Sequence, residues 1–388
     1  MTALSYIPGE IAALRDKGRY RFLRRVATPQ DAAIVMEGRE LLNFSSNNYL
    51  GLANHPEVVA ALAEYAARYG VGSGASRLIG GHMEVHAELE EAMAAFKGTE
   101  SCLTFSAGYL ANLGILSTLA DADTEIFSDA LNHASIVDGS RLARARVAVY
   151  RHGDAGHLDR LLGESRAKRK IVVTDGVFSM DGDIAPLPDL VDVKDRHGAI
   201  LVVDDAHATG VLPPRGRGSA ERFGLSGRIE IQMGTFSKAL GTYGAYLCAS
   251  RDVVDYFVNR CRPFIFNTAL PPAVAGATLK SLEILARRPE RLGALWANAS
   301  LFRAEMEARG RAVPSETAIV PIVVGGDRDT MDVSAALFDR GVFVHGIRPP
   351  TVPEGTGRLR LTLMATHTRE MVRTAAARIH EALSERGL

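Results

Sequence analysis

Lys238 stands in Gly234-Thr235-Phe236-Ser237-Lys238-Ala239-Leu240-Gly241, among small, hydroxylated and flexible residues directly after an apolar run. A lysine amine forms a Schiff base with a carbonyl cofactor such as pyridoxal phosphate, and neighbouring hydroxyls with backbone N–H groups suit a phosphate. The Ser-Lys dipeptide alone equally describes a solvated lysine in a turn. A second cluster upstream gives it chemical meaning. Ile200-Leu201-Val202-Val203 reads as a buried strand that ends abruptly in Asp204-Asp205-Ala206-His207, and strand ends in α/β folds carry chemistry. A carboxylate against the pyridine nitrogen of the cofactor keeps that nitrogen protonated, so that the ring accepts the electrons of a carbanion. Asp204 suits that role, His207 is placed to reach the ring's phenolic oxygen, and Lys238 supplies the imine. Taken singly, Asp204 is an ordinary helix cap and His207 an ordinary core histidine; the three together make a site.

The elements that must position these groups alternate along the chain, with short Gly- or Pro-marked connections and no internal repeat. Pro56 opens a helical pattern that Gly70 closes, and a second runs from Glu84 to Phe96 before Gly98. Ile171 to Thr174, Ile200 to Val203 and Ala245 to Cys248 look like strands of one buried sheet. After Arg287-Arg288-Pro289 the pattern becomes a long helix, a strand from Ile319 to Val324, and a final helix from Thr368 to Arg386. We expect an α/β protein with an arm over residues 1–45, a large domain over 46–285 and a smaller one over 286–388.

With 388 residues and 47% hydrophobic content, the chain exceeds what one core usually serves. Lys plus Arg number 45, as do Asp plus Glu, so the zero formal charge argues against a nucleic-acid or membrane surface as the main partner. Cys102, Cys248 and Cys261 have no metal-ligand spacing and are too few for a disulfide framework, which fits a reducing cytoplasm. Met1 to Arg25 lacks an apolar core of signal-peptide length, and no apolar run reaches the roughly 18 residues of a membrane span.

Gly72-Ser73-Gly74-Ala75-Ser76-Arg77 and Ser106-Ala107-Gly108-Tyr109 each precede a helical pattern and could bring backbone N–H groups to a phosphate; as ordinary tight turns they would need no ligand. His133, after Ile126-Phe127, could stack on a flat ring or simply cap a helix. No Gly-x-Gly-x-x-Gly follows a strand with an acid some twenty residues on, which sets a nicotinamide dehydrogenase aside.

From about Leu42 to His367 the chain resembles the α-oxoamine synthases, pyridoxal-phosphate enzymes of fold type I. The resemblance rests on Asn43-Phe44-Ser45-Ser46-Asn47-Asn48-Tyr49-Leu50-Gly51-Leu52, Asn132-His133-Ala134-Ser135, the stretch from Gly176 to Asp183, Asp204-Asp205-Ala206-His207 and Thr235-Phe236-Ser237-Lys238. It implies a large, mostly parallel sheet domain with a smaller C-terminal α/β domain. It also implies that Lys238 holds the cofactor, Asp204 its ring nitrogen and His207 its ring oxygen, with His133 on the ring face and Ser179 beside the oxygen. Gly108, Tyr109 and Thr235 would hold the cofactor, and Thr268 would reach the phosphate of a neighbouring subunit, which implies a homodimer with sites at the interface. Arg360 would clamp the amino-acid carboxylate, with Arg21, Asn47, His133, Arg348 and Thr351 on the substrate side. Ala107 departs from the Ser or Thr common in the family, with Ser106 as a stand-in. The implied reaction is decarboxylative condensation of an amino acid with an acyl thioester. Ile347-Arg348-Pro349-Pro350-Thr351-Val352-Pro353 and Arg358-Leu359-Arg360-Leu361 most resemble members that use L-alanine and a pimeloyl thioester; members that use serine with palmitoyl-CoA, or that form 2-amino-3-ketobutyrate, are the alternative.

Overall fold

A computed structural model of the protein describes residues 3–388; Met1 and Thr2, the first residues of the expected arm, lie outside the described residues. The chain divides into two compact units. The larger holds Asn48–Ser179 and Asp183–Gly293; the smaller holds the described residues up to Asn47, together with Met180–Gly182 and Ala294–Leu388. The residues expected to form an arm beside the smaller domain cluster with the C-terminal part. They contain a hairpin, β1 (Ala33–Met36) and β2 (Arg39–Asn43), whose turn residues Glu37 and Gly38 both adopt positive φ (51° and 76°), as a tight hairpin requires, and its second strand pairs with Val342 and Phe343 of the C-terminal part.

The larger unit is built on seven strands: β3 (Ser101–Phe105), β4 (Thr124–Asp129), β5 (Arg146–Tyr150), β6 (Arg169–Asp175), β7 (Ile200–Asp204), β8 (Ile231–Thr235) and β9 (Ala245–Ala249). They lie in the order β3-β9-β8-β7-β6-β4-β5; β9 is antiparallel to both neighbours and every other pair is parallel. Side chains alternate between the two faces of a strand, and both faces are covered. Ile171, Val173 and Val202 enter one apolar cluster with Ile115 and Phe257, whereas Val172, Leu201 and Val203 enter another with Leu162 and Leu190. Burial on both faces is why these strands read as unbroken apolar runs. The helix Pro56–Tyr69 starts at its proline, and Glu84–Lys97 ends at Gly98 in the left-handed conformation (φ 71°).

The smaller unit adds β10 (Ile319–Gly325), β11 (Val342–Phe343), β12 (His345–Ile347) and β13 (Gly357–Thr362). One sheet runs β10-β13-β12, all antiparallel, and β11 extends the N-terminal hairpin by pairing parallel to β2. Leu359 and Leu361 are fully buried, and alternation carries Arg358 and Arg360 together to the opposite face of β13. No helix among the described residues is long and apolar enough to cross a membrane.

A buried ion pair sits behind the end of β7. Lys97 Nζ donates to Asp205 Oδ2 at 2.8 Å with both side chains fully buried, and Ser219 Oγ and N also donate to that carboxylate. Removing one member strands a buried charge, so Lys97→Met is expected to cost about 3–5 kcal/mol. The measurement is the urea unfolding midpoint, and a midpoint equal to that of the parent would show that the pair contributes nothing.

Candidate functional site

Register places the chemistry. Asp175 at the end of β6 lies beside Asp204 at the end of β7, and Asp204 lies beside Met233, two residues before β8 ends in Thr235. Three parallel strands thus present their carboxyl ends at one level, where α/β sheets bind ligands. Asp204 is buried and fixed: Asn112 Nδ2 donates to its Oδ2 at 2.7 Å and Ala206 N to its Oδ1 at 2.8 Å. Asn112 also donates to Ser135 Oγ at 2.9 Å, and that hydroxyl is 2.7 Å from His133 Nδ1.

His133 caps the helix Ala134–Leu142, its Nδ1 accepting from Ser135 N, while its own backbone N–H donates to Asp175 Oδ2 at 2.8 Å. Burial lowers the His133 pKa, Lys238 pushes the same way and Asp204 opposes, so the ring is neutral at neutral pH and carries its proton on Nε2. Burial and the neighbouring Asp204 push the Asp175 carboxyl well above its usual range, while the His133 N–H and Lys238 counter the rise. Lys238 therefore interacts electrostatically with both groups. Its Nζ lies 3.4 Å from Thr235 Oγ1. The Lys238 turn closes through Gly241 N to Lys238 O, and Gly241 has φ +70°, with room for no Cβ: that atom would lie 2.3 Å from Ala53 N. His207 Nδ1 is hydrogen-bonded to the fully buried Tyr49 Oη at 2.7 Å.

The donor set fits pyridoxal phosphate. A lysine, a buried carboxylate held from outside and a neutral histidine meet at strand ends. The helix Gly108–Leu119 starts beside them with no side-chain cap, leaving an N-terminus suited to a phosphate. Only glycine allows that start, because a Cβ at Gly108 would lie 2.5 Å from Thr235 Cγ2. Ala107 supplies no cap, and Ser106 Oγ accepts from Asn267 Nδ2. The Tyr109 hydroxyl donates to Asp138, and its backbone N–H lies in the uncapped first turn of the helix. Ser179 lies in the turn closed by the Val177–Ile184 bridge. Thr268 bridges to Ser76, on a loop whose Leu270 carbonyl is hydrogen-bonded by Ser73 Oγ and by His86 Nε2, each at 2.7 Å.

All of these groups belong to the larger unit; Arg21, Asn47, Arg348, Thr351 and Arg360 belong to the smaller. There Arg360 is buried, with Nη1 donating to Asn47 Oδ1 at 3.2 Å and to Thr362 Oγ1 at 3.1 Å. Arg348 is buried too, donating to the Tyr20 carbonyl at 2.8 Å, and Arg21 donates to the Pro349 carbonyl at 3.1 Å. Thr351 is exposed, its N–H on the Arg348 carbonyl. Residue types and spacing miss Asn112, Ser135 and Asp175. Asn112 had a signal, since it lies one helical turn after Gly108 on the same face; Asp175 ends an apolar strand just as Asp204 does.

The family described as aminotransferase class I and II matches residues 39–379. The chain is 52% identical over 376 residues to an 8-amino-7-oxononanoate synthase of Geotalea daltonii, with 95% of each chain covered. It is 52% identical over 392 residues to one of Geobacter sulfurreducens, covering 98% of this chain and 99% of the relative. Among solved structures it is similar to a serine palmitoyltransferase of S. paucimobilis with a bound PLP-myriocin aldimine: TM-score 0.94, 35% identity, 99% of this chain and 98% of that one.

Lys238→Ala is expected to abolish the visible absorption of lysine-bound pyridoxal phosphate; a band like that of the parent would remove Lys238 from the site. Asn112→Leu takes a donor from a buried carboxylate, a loss of about 1.5–3 kcal/mol. It should weaken cofactor binding roughly ten- to a hundred-fold, checked by titrating apoprotein with pyridoxal phosphate.

Proposed function

Because the chain belongs to the aminotransferase class I and II family, in its α-oxoamine synthase branch, we propose that it condenses L-alanine with a pimeloyl thioester. The products are 8-amino-7-oxononanoate, the free thiol (CoA where CoA is the carrier) and CO2, a step of biotin biosynthesis. The observation that carries the chemistry is the convergence of Lys238, Asp204 and His133 at the carboxyl ends of β6, β7 and β8.

Bound pyridoxal phosphate supplies an electron sink for the Cα–H and Cα–carboxylate bonds of an amino acid. The residues of the chain do the rest. Lys238 Nζ would hold the cofactor, and the same amine would serve as the base that takes the Cα proton of alanine. Asp204, fixed by Asn112 and Ala206, would hold a proton on the ring nitrogen. His133, neutral and flat at its helix cap, offers a ring face and an Nε2–H rather than a second positive charge. His207 and Ser179 serve the ring oxygen. Gly108, Tyr109 and Thr235 serve the phosphate, with Thr268 doing so for a second copy of the chain in a cytoplasmic homodimer. Arg360 takes the alanine carboxylate through its planar fork, supported by Asn47.

A cavity within the smaller unit favours a dicarboxylic acyl group over a plain fatty one. It measures about 370 Å³ and is lined by Arg21, Arg348, Phe22, Met36 and Phe338, and Arg348 Nε is buried there without a hydrogen-bond partner. Apolar walls with three guanidinium groups, that of Arg24 being the third, suit the methylene chain and distal carboxylate of pimelate; a palmitoyl end brings no charge to pair with them.

Purified enzyme offered Ala, Ser and Gly against acyl-CoAs of several lengths should release thiol fastest with alanine and pimeloyl-CoA; palmitoyl-CoA with serine as the best pair would overturn the reading. Arg360→Ala loses a charge-assisted contact of about 1.5–3 kcal/mol and should weaken alanine binding roughly ten- to a hundred-fold. An unchanged alanine KM in that variant would remove Arg360 from the carboxylate site.

A further inference from the structure

His152 lies outside the groups described so far, just after β5. Its Nδ1 is 2.9 Å from Asp129 Oδ1 and its Nε2 is 2.8 Å from Asp183 Oδ2. A neutral imidazole has one N–H and can donate to only one of these carboxylates, whereas an imidazolium donates to both. Hydrogen bonds that His152 donates to Asp129 and then to Asp183 accordingly raise its pKa to about 10 against the opposing effect of burial.

Each carboxylate governs a different turn. Asp129 ends β4; it accepts Leu131 N at 2.8 Å and Gly153 N at 2.9 Å, and its carbonyl accepts Asn132 N. Asn132 in turn donates to the Val173 carbonyl and accepts Asp175 N, which delivers His133 to Asp175. Asp183 closes the other turn, its carbonyl accepting Phe178 N at 3.0 Å, with Ser179 next in sequence. The second carboxylate oxygen of Asp183, Oδ1, is buried without a hydrogen-bond partner, so His152 is its counter-charge. The Phe178 ring meets His152 edge-on, with centroids 4.4 Å apart and planes at 90°.

We propose that His152 is a positioning residue of the active site: by bridging Asp129 and Asp183 it locks the turn that ends in His133 to the turn that carries Ser179. It touches neither substrate nor cofactor. The proposal rests on the reading above in which His133 and Ser179 face the bound cofactor, and it concerns their mutual placement.

The test compares the parent with His152→Gln and with His152→Gln/Asp183→Asn, the latter removing the carboxylate that the first leaves uncompensated. Both variants should still give the absorption of lysine-bound cofactor, with its pH midpoint displaced by about half a unit or more. The turnover number kcat should fall roughly ten-fold while the alanine KM stays within about two-fold, the pattern of a group acting in the transition state rather than in binding. Amide exchange, followed without cofactor, should quicken at residues 130–135 and 177–184. Parent-like spectra and kcat in the double variant, with only a lower melting temperature, would reduce His152 to a structural residue and overturn the proposal, as would unchanged exchange in both turns. A parent that gives no cofactor band would instead sink the cofactor reading, and the proposal with it.

Discussion

Two carboxylates side by side in a dry place are the constraint on which this molecule turns. Parallel register brings Asp175 against Asp204 at the ends of β6 and β7, and burying like charges together is costly unless donors and cations surround them. The surroundings comply. Asn112 and the Ala206 N–H serve Asp204, the His133 N–H serves Asp175, and Lys238 lies within electrostatic reach of Asp175. A group recruited to compensate a buried acid is also held in one orientation. The requirement that makes the strand ends stable is therefore the one that makes them a site.

The same logic extends outward in layers. Behind Asp204, Lys97 neutralises Asp205 with no exposure at all, which fixes the turn that leads to His207. To the side, His152 neutralises Asp129 and Asp183, and the turns that carry His133 and Ser179 meet on it. Two basic residues, neither singled out by motif, thus each answer one or two acids, and their partners lie in strand-end turns. Packing adds a different kind of precision. The close approaches at Gly108 and Gly241 fix where a helix N-terminus and the Lys238 turn can sit, because a Cβ at either position would collide with Thr235 or with the backbone of Ala53.

The smaller unit solves another problem. A β-strand period of two puts Arg358 and Arg360 on one face of β13 and Leu359 and Leu361 on the other. Each buried guanidinium needs acceptors: Arg358 pairs with Asp181, and Arg360 donates to Asn47 and Thr362. The motif residues Asn47 and Arg360, 313 positions apart in sequence, are in this way direct hydrogen-bond partners.

What the sequence alone determined is what local order encodes. Runs of β-branched residues ended in acids, a lysine followed a strand, and prolines and glycines marked helix ends, so the α/β class, the strand ends and the candidates Lys238, Asp204 and His207 were legible, whereas His133 was singled out by the family resemblance. Those features depend on neighbours within a few residues. The tertiary structure decided the rest, because it concerns contacts that no spacing predicts. Asn112 reaches Asp204 across 92 positions and Lys97 reaches Asp205 across 108. The first forty-odd residues read as an arm beside the smaller domain; what ties them to it is the pairing of β2 with β11 some three hundred residues later. The side chains a site needs can be recognised from their types and order; which groups hold them is settled only when strands from distant parts of the chain come into register and every buried charge must find a partner.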